Sequence, residues 1–532
     1  MSTGRLLALL QGLTFAAILL IGPASAWAAA IHLGNGTEPE SLDIHMSSGV
    51  SEANIQRDLF EGLVAEGPDA SLIPGAAESW EISEDGTVYT FHLRSDGKWS
   101  NGDPVTAGDF VYAFRRGLSP ETAAAYAFIL YPVNNAEAYV SGEITDPSEI
   151  GIRAIDDLTL EITLKAPTAY FLDMLTHHMA YPLNQAALEA HPDDWTRAGN
   201  LVSNGAYMLA EWAPQSFIRL EKNPNYHDAG AVALDEVFYY PTEDEGQELQ
   251  RYRAGELDVT YDIPADQIDW IVANLNDEYR NFPYLGTYYY ALNVTAAPFA
   301  GDIGLRQALS LAIDRTVLTQ KITRAGEIPA YSFVPPGVMH YQQQPQPWAN
   351  WTQEERNARA QELYAASGYG PDNPLKLEIL YNTSDNHKKI AIAIAAMWKQ
   401  TLGVETTLRN EEWKAYLSSR DEKNFQVVRA GWIGDYNDAN TFLELFVSDA
   451  GEMNDPGYDS ARYDELVKGG AFETDLDARE AMLEEAERVF LEDTPLIPIY
   501  FYTTQHMVKP AVGGWIDNIK DVHPSRYLTV TE

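Results

Sequence analysis

Apolar and polar positions alternate in several short stretches of the chain. Thr87, Tyr89, Phe91 and Leu93 alternate with more polar neighbours, the period of a half-buried strand. Leu158, Leu160, Ile162 and Leu164 repeat that pattern ahead of Pro167. Between them, Asn101-Gly102-Asp103-Pro104 is a turn signal. Thr106 with Asp109 has the form of a capping box, and Phe110, Val111, Phe114 and Leu118 follow at helical spacing. Residues 288–293 read as a short aromatic strand.

The stretch 352–438 carries the clearest order. Thr352 and Glu355 open a helix that ends near Gly368. Leu375, Leu377, Ile379 and Tyr381 alternate as a strand. The turn Asn382-Thr383-Ser384-Asp385 carries an N-cap for a helix through Ile390, Ile394, Met397 and Trp398, stopped by Gly403. Val404, Thr406 and Leu408 make the next strand, a short helix follows over 413–417, and a third strand runs over 425–431. This β-α-β-α-β order predicts a largely parallel sheet with right-handed crossovers.

Ligands of open α/β sheets bind beyond the carboxyl ends of the strands. His387 lies just past the end of the first strand, and Arg429, Trp432 and Asp435 lie at or just past the end of the third. All four are expected at one edge. A buried Asp435 would need a cation or several donors, and a ligand ammonium would serve. Arg429 offers a planar fork suited to a carboxylate. His387 and Lys388 offer positive charge at a second distance. A carboxylate at one end with cations at graded distances fits a zwitterion of variable length, the form of a peptide. Tyr288, Tyr289, Tyr290, Trp413, Trp432, Tyr436 and Tyr500 sit near the strand ends, where aromatic residues line either a core or a ligand cleft. Periodicity by itself does not separate a peptide cleft from a sugar cleft.

Composition narrows the class. A length of 532 residues suits about three domains at ~150 residues each. With no cysteine, disulfides, thiolate metal sites, cysteine nucleophiles and a lipidated N-terminal cysteine are excluded. A net charge of −42 argues against nucleic acid and anionic membranes as partners and gives an acidic, solubilising shell. Arg5 is followed by an apolar run over 6–21, Pro23, and the small-residue motifs Ala24-Ser25-Ala26 and Ala26-Trp27-Ala28. That is the pattern of a secretory signal peptide, expected to occupy 1–28 and to be removed. The mature chain is then expected to be soluble and exported. No nucleotide-binding glycine loop, nucleophile elbow or zinc-protease motif is present, so an enzyme is not expected. His177-His178 is a weak metal candidate, because adjacent helical residues face apart. No cofactor or metal is expected.

These residues together resemble the periplasmic solute-binding proteins that deliver peptides to ABC importers, the oligopeptide-binding cluster of family 5 above all. The resemblance spans 36–527. It rests on segments such as Arg57-Asp58-Leu59-Phe60-Glu61-Gly62-Leu63, Trp99-Ser100-Asn101-Gly102-Asp103-Pro104-Val105-Thr106-Ala107, Asn204-Gly205-Ala206-Tyr207, Thr287-Tyr288-Tyr289-Tyr290, Tyr381-Asn382-Thr383-Ser384-Asp385, Arg429-Ala430-Gly431-Trp432 and Asp435-Tyr436-Asn437. It implies an α/β two-lobed clamp of the periplasmic-binding-protein type with an additional third domain. The discontinuous lobe I would comprise 31–50, 174–285 and 502–532, the extra domain II 51–173, and lobe III 286–501. It implies a monomer that grips a short peptide between the lobes and docks on a membrane permease. Asp435 would anchor the peptide ammonium, and Arg429 and His387 the terminal carboxylate at different lengths. The segment Ala430-Gly431-Trp432 would pair with the peptide main chain opposite Glu38, with Trp413 and Trp432 as pocket walls and Tyr436 and Tyr500 beside them. Related clusters take murein tripeptide, opines, oligosaccharides or nickel chelates, and these stay open, as do an exported hydrolase and a periplasmic chaperone. Two departures matter. Gly286 and Ile433 stand where some relatives carry a cysteine pair, and Pro39 lacks an N–H beside Glu38.

Overall fold

The computed structural model describes residues 28–168, 170–338 and 340–531. The signal-peptide reading falls on 1–28, outside the described residues except for Ala28.

A six-stranded sheet forms in the order Ile328–Pro329, Leu496–Met507, Tyr279–Leu292, Val427–Ile433, Lys376–Asn382, Glu405–Glu411. Its last three members are parallel, as the β-α-β-α-β order requires. The crossovers are the helices Asp385–Leu402 and Trp413–Asp421. Ser384 caps the first by accepting from the His387 N–H, and Gly403 ends it in the left-handed conformation. Thr352 and Glu355 form the expected capping box on Gln353–Ala366. The capping box at Thr106 also forms, with the Asp109 carboxylate accepting from the Thr106 N–H at 2.8 Å and from its hydroxyl at 3.0 Å.

Two strands differ in extent or setting from the periodicity. Glu405–Glu411 is the sheet edge and is largely exposed, Leu408 included. Arg409–Glu378 at 3.0 Å and Lys376–Glu405 at 3.4 Å place charges along that edge, which discourages pairing with another chain. The aromatic strand expected over 288–293 begins nine residues earlier, at Tyr279. Its first half is polar and partly exposed, so burial alternation does not mark it; pairing with Leu496–Met507 makes it a strand.

A second sheet joins Ala30–Gly34, Glu236–Tyr240, Phe217–Lys222 and Tyr207–Ala213, and a third joins Ala77–Ile82, Val88–Leu93, Thr159–Thr163 and Ile152–Asp156. The six-stranded and second sheets are linked by a short relay. Val508, just past the long strand Leu496–Met507, bridges to Val259, and Val259 bridges to Leu33. The two long strands thus run from the six-stranded sheet to the second one. Their mutual register breaks between Pro283 and Thr287.

Candidate functional site

The parallel strands end on one cavity of about 320 Å³. Asn382, His387, Trp413, Arg429, Gly431 and Ile433 line it from that edge. Tyr284, Tyr500, Tyr502 and His506 line it from the two long strands, and Gly34, Thr37, Arg57 and Asp262 line it from across the cleft. The cleft is bridged at its rim. The Ser384 hydroxyl donates to Glu245 at 2.7 Å, Asn386 bonds Ile263 and Ala265, Lys389 meets Asp266 at 3.5 Å, and Lys414 meets Glu40 at 3.8 Å.

Arg429 is half-buried. Its guanidinium donates to Asn382 Oδ1 at 3.2 Å and to the Tyr502 hydroxyl at 2.7 Å, and it lies 4.5 Å from the Tyr288 ring centre. No acidic side chain pairs with it among the described residues, the groups around it being Tyr288, Tyr416, Tyr500 and Tyr502, and its Nε is buried without a partner. A half-buried fork with spare donors suits an anion. At Gly431, two residues on, an added Cβ would displace the Tyr502 hydroxyl that accepts from Arg429. His387 lies in the first turn of its helix, its Nδ1 3.4 Å from the Tyr288 hydroxyl. Burial, together with Arg429, pushes its imidazole well below the usual range. The second cation expected from sequence is therefore a neutral ring in this structure, and an arriving carboxylate would be needed to charge it.

Alternation along Val427–Ile433 splits the expected group. Arg429, Gly431 and Ile433 face the cavity, whereas Ala430 and Trp432 belong to the hydrophobic cluster on the other face. Trp432 stacks on Tyr126 at 6.0 Å, and Tyr126 stacks on His177 at 4.7 Å. Asp435 sits beside this aromatic group, with His177 Nε2 3.7 Å from its Oδ1 and Thr441 Oγ1 3.2 Å from its backbone N–H. Burial raises its carboxyl to about 7 against the opposing pull of Lys520 and Arg57. Asp435 Oδ2 and Trp432 Nε1 are both buried without a partner. A carboxylate against aromatic faces suits an ammonium.

The strand between these two ends has an open edge. Val427–Ile433 pairs along its length with Tyr279–Leu292, Gly286 lying opposite Ile433. On the other side it pairs with Lys376–Asn382 only at Val427 and Val428. No described strand pairs with 429–433 there, and the Tyr416 hydroxyl donates to the Arg429 carbonyl.

The remaining expected residues are spread out. Trp413 lines the cavity and stacks on Tyr416 at 5.6 Å, its Nε1 unpartnered. Tyr500 lines it and stacks on Tyr288 at 4.6 Å. Tyr436 does not line it; it is fully buried, stacks on Tyr170 at 4.9 Å and donates to Glu444 at 2.6 Å. The Glu38 carboxylate is held away by Trp212 Nε1 at 2.8 Å and the Gln215 N–H at 3.0 Å. Beside Pro39, the Glu40 N–H donates to Glu52 at 2.7 Å. His177 and His178 pack ring to ring at 4.0 Å, and His178 Nδ1 is 2.7 Å from the Ile44 carbonyl oxygen, so the pair is not arranged as two ligands of one ion.

Sequence reasoning missed Asn382, Tyr502, Arg57 and the acidic wall of Glu245, Glu248 and Asp262. Tyr502 was within reach, since Tyr500 and Tyr502 share one face of a strand. It also missed His506, Asp521 and His523, for which the only signal was the Asp-x-His spacing of the last two.

Buried carboxyls near the site shape the pH dependence of stability. Burial raises Glu248 and Glu444 to about 8, and Asp435 and Glu487 to about 7. Each keeps its proton in the fold at a pH where the unfolded chain has lost it. Their contribution is present at low pH and is lost as pH rises through 7 and 8. Self-repulsion of the acidic surface has the same sign. The carboxyls held low, Asp43, Glu61 and Glu66, act only below their ordinary range. The melting temperature of the ligand-free protein is therefore expected to be higher at pH 6.5 than at pH 8.5 at fixed ionic strength, by calorimetry, a window above the range in which the buried histidines His45, His177, His178 and His387 act with the opposite sign. Glu444→Gln should shrink the difference; a melting temperature that climbs with pH would contradict this.

Comparison with known proteins gives a consistent set of likenesses. Residues 71–454 match the profile described as bacterial extracellular solute-binding proteins, family 5 Middle. The chain is 41% identical over 493 residues to the periplasmic oligopeptide-binding protein OppA of Salmonella typhimurium, covering 91% of this chain and 90% of that protein. The fold matches the murein tripeptide-binding protein MppA of Escherichia coli with a TM-score of 0.93 at 39% identity, covering 95% of this chain and 99% of that one. It matches Haemophilus influenzae OppA in complex with RPPGFSPFR with a TM-score of 0.92 at 38% identity, at the same coverages. Against MppA in its unliganded open form the TM-score is 0.67, at 39% identity and with 95% and 98% covered. The present arrangement is thus that of the peptide complex and not that of the open form.

Proposed function

The chain belongs to the bacterial extracellular solute-binding proteins of family 5, and from that premise we propose that it captures short oligopeptides in the periplasm with little sequence preference and hands them to the permease of an ABC importer. It is a binding protein and not an enzyme. The observation that carries the reading is the pairing of ends. Among the described residues the Arg429 fork lacks an acidic partner, Asp435, just outside the cavity lining, has one buried oxygen without a partner, and the open edge 429–433 runs between them. An extended peptide laid along that edge adds a strand by main-chain hydrogen bonds, which give affinity without reading side chains. The peptide ammonium goes to Asp435, its carboxylate to Arg429, and His387 serves the carboxylate of a peptide of another length. Trp413 and Tyr500 wall the cavity on one side of the strand and Trp432 lies on the other. Glu38 contributes through the backbone of its segment, and Tyr436 acts by packing behind Asp435.

The lobes are assigned as 31–50, 174–285 and 502–532 for lobe I, 51–173 for domain II and 286–501 for lobe III. The boundaries at 285 and 501 fall inside the two long strands, next to the register break between Pro283 and Thr287. A strand pair interrupted at that point supplies a hinge, and the rim contacts Ser384–Glu245 and Lys414–Glu40 hold the closed state. Residues 1–28 act as a cleaved signal peptide, and the absence of cysteine leaves no site for lipid attachment at the mature N-terminus.

The likeness to the murein tripeptide-binding protein favours a second reading, in which that tripeptide fills the same cavity. Calorimetry separates the two. Tri- to pentapeptides of ordinary L-residues are expected to bind at one per chain and more tightly than murein tripeptide. Binding of murein tripeptide alone would select the second reading, and no binding of any peptide would overturn both.

A further inference from the structure

Three residues that the peptide reading leaves unused converge on the wall of the same cavity. His506 and His523 each place Nε2 3.0 Å from Asp521 Oδ1, and the ligating atoms of all three lie within 4.8 Å of one another. Among the described residues no other three-ligand group of this kind forms. Neighbouring ligand atoms on a tetrahedral ion with bonds of ~2.0–2.1 Å stand about 3.3 Å apart, so a small contraction or expansion of this cluster suffices to seat one.

The supports of the cluster are already in place. The Thr260 carbonyl oxygen lies 2.9 Å from His506 Nδ1, which commits that nitrogen to donating and turns Nε2, the ligand atom, toward Asp521. The Asn518 side chain ties the following loop together, accepting from the Val522 N–H at 3.1 Å and donating to the Val522 carbonyl at 3.0 Å. That loop holds Asp521 at a φ of 53°, in the left-handed region that aspartate adopts more readily than most non-glycine residues. Trp515 stacks flat on His523 at 3.6 Å and fixes the ring. All three residues line the cavity.

We propose that His506, Asp521 and His523 bind a divalent transition-metal ion of the Zn²⁺ type, with the remaining coordination position facing the ligand cavity. Two imidazoles and one carboxylate are a donor set that suits such an ion, and three protein ligands leave one position open. In the metal-free fold His506 Nε2 and His523 Nε2 both contact the Asp521 carboxylate, and metal binding replaces those contacts. The open position accepts a carboxylate or imidazole donor from a bound peptide, an extension that rests on the peptide reading above.

The test uses the full mature protein, stripped with EDTA and dialysed, and titrated with Zn²⁺ in the absence of peptide. One ion per chain is expected. His523→Phe keeps the stacked ring and removes the nitrogen, and Asp521→Asn keeps the shape and removes the charge. Each should weaken Zn²⁺ binding by about tenfold or more, with circular dichroism unchanged. Co²⁺ in place of Zn²⁺ should give a visible absorption band of a four-coordinate ion in the wild type that the His523→Phe variant lacks. Absence of binding, or wild-type affinity in both variants, would overturn the site. Peptide titration of the stripped protein reads the peptide function separately: peptides bound without any Zn²⁺ uptake would remove the metal site and leave that function standing.

Discussion

Asp435→Ala is expected to weaken binding of a free-amine tripeptide by about 2–5 kcal/mol, the usual cost of truncating one partner of a buried charged contact. Acetylating the peptide amine should cost the wild type a similar amount, and the variant should not discriminate between the two peptides. The loss follows from the setting of Asp435. Burial in the closed arrangement raises its carboxyl to about 7, and Oδ2 has no partner, so desolvation favours the protonated form there. An ammonium stabilises the charged form, so binding is accompanied by proton release from this group near neutral pH. With peptide amides, which lack the other charged end, affinity should fall as pH drops from 8 to 6. Calorimetry in buffers of different ionisation enthalpy should register proton release. Unchanged affinity in Asp435→Ala together with indifference to acetylation would place the ammonium elsewhere.

Arg429→Ala is expected to cost a comparable ~2–5 kcal/mol with a free-carboxylate peptide whose length brings its end to the guanidinium. The corresponding peptide amide should bind the variant and the wild type alike. Lysine at this position keeps the charge but loses the fork, so it should recover only part of the affinity. Arg429 also donates to Asn382 and Tyr502 and rests on Tyr288, so the variant's melting temperature must be measured alongside. Loss of affinity for carboxylate and amide peptides in equal measure would mean that the side chain only supports the cavity wall. His387 supplies an internal contrast. It is neutral in the closed cavity because of burial and Arg429. A peptide whose carboxylate reaches it should therefore bind with proton uptake, opposite in sign to the release at Asp435.

Much of the architecture was open to reading before any coordinates. The capping boxes at Thr106 and Thr352, the stop at Gly403 and the parallel order of Lys376–Asn382, Glu405–Glu411 and Val427–Ile433 depend on neighbours within a few residues, or on the chirality of the crossover connection. The placement of His387, Trp413 and Arg429 at one edge follows from that order. The extent of Tyr279–Leu292 was not readable, because its first half alternates neither in polarity nor in burial and owes its conformation to a partner more than two hundred residues away.

The amino-acid order alone determined the family, the parallel unit and the residue types that meet a peptide's charged ends. Those depend on local periodicity, on caps and on the end at which strands stop. Only the tertiary structure decided which face each residue takes and what charge it carries there. It put Arg429 in the cavity and Trp432 behind the strand, turned the Glu38 carboxylate away toward Trp212, made His387 neutral and Asp435 ambivalent, and gathered His506, Asp521 and His523 into one wall. The reason is that desolvation and charge proximity arise from contacts between distant segments, which a linear pattern does not encode.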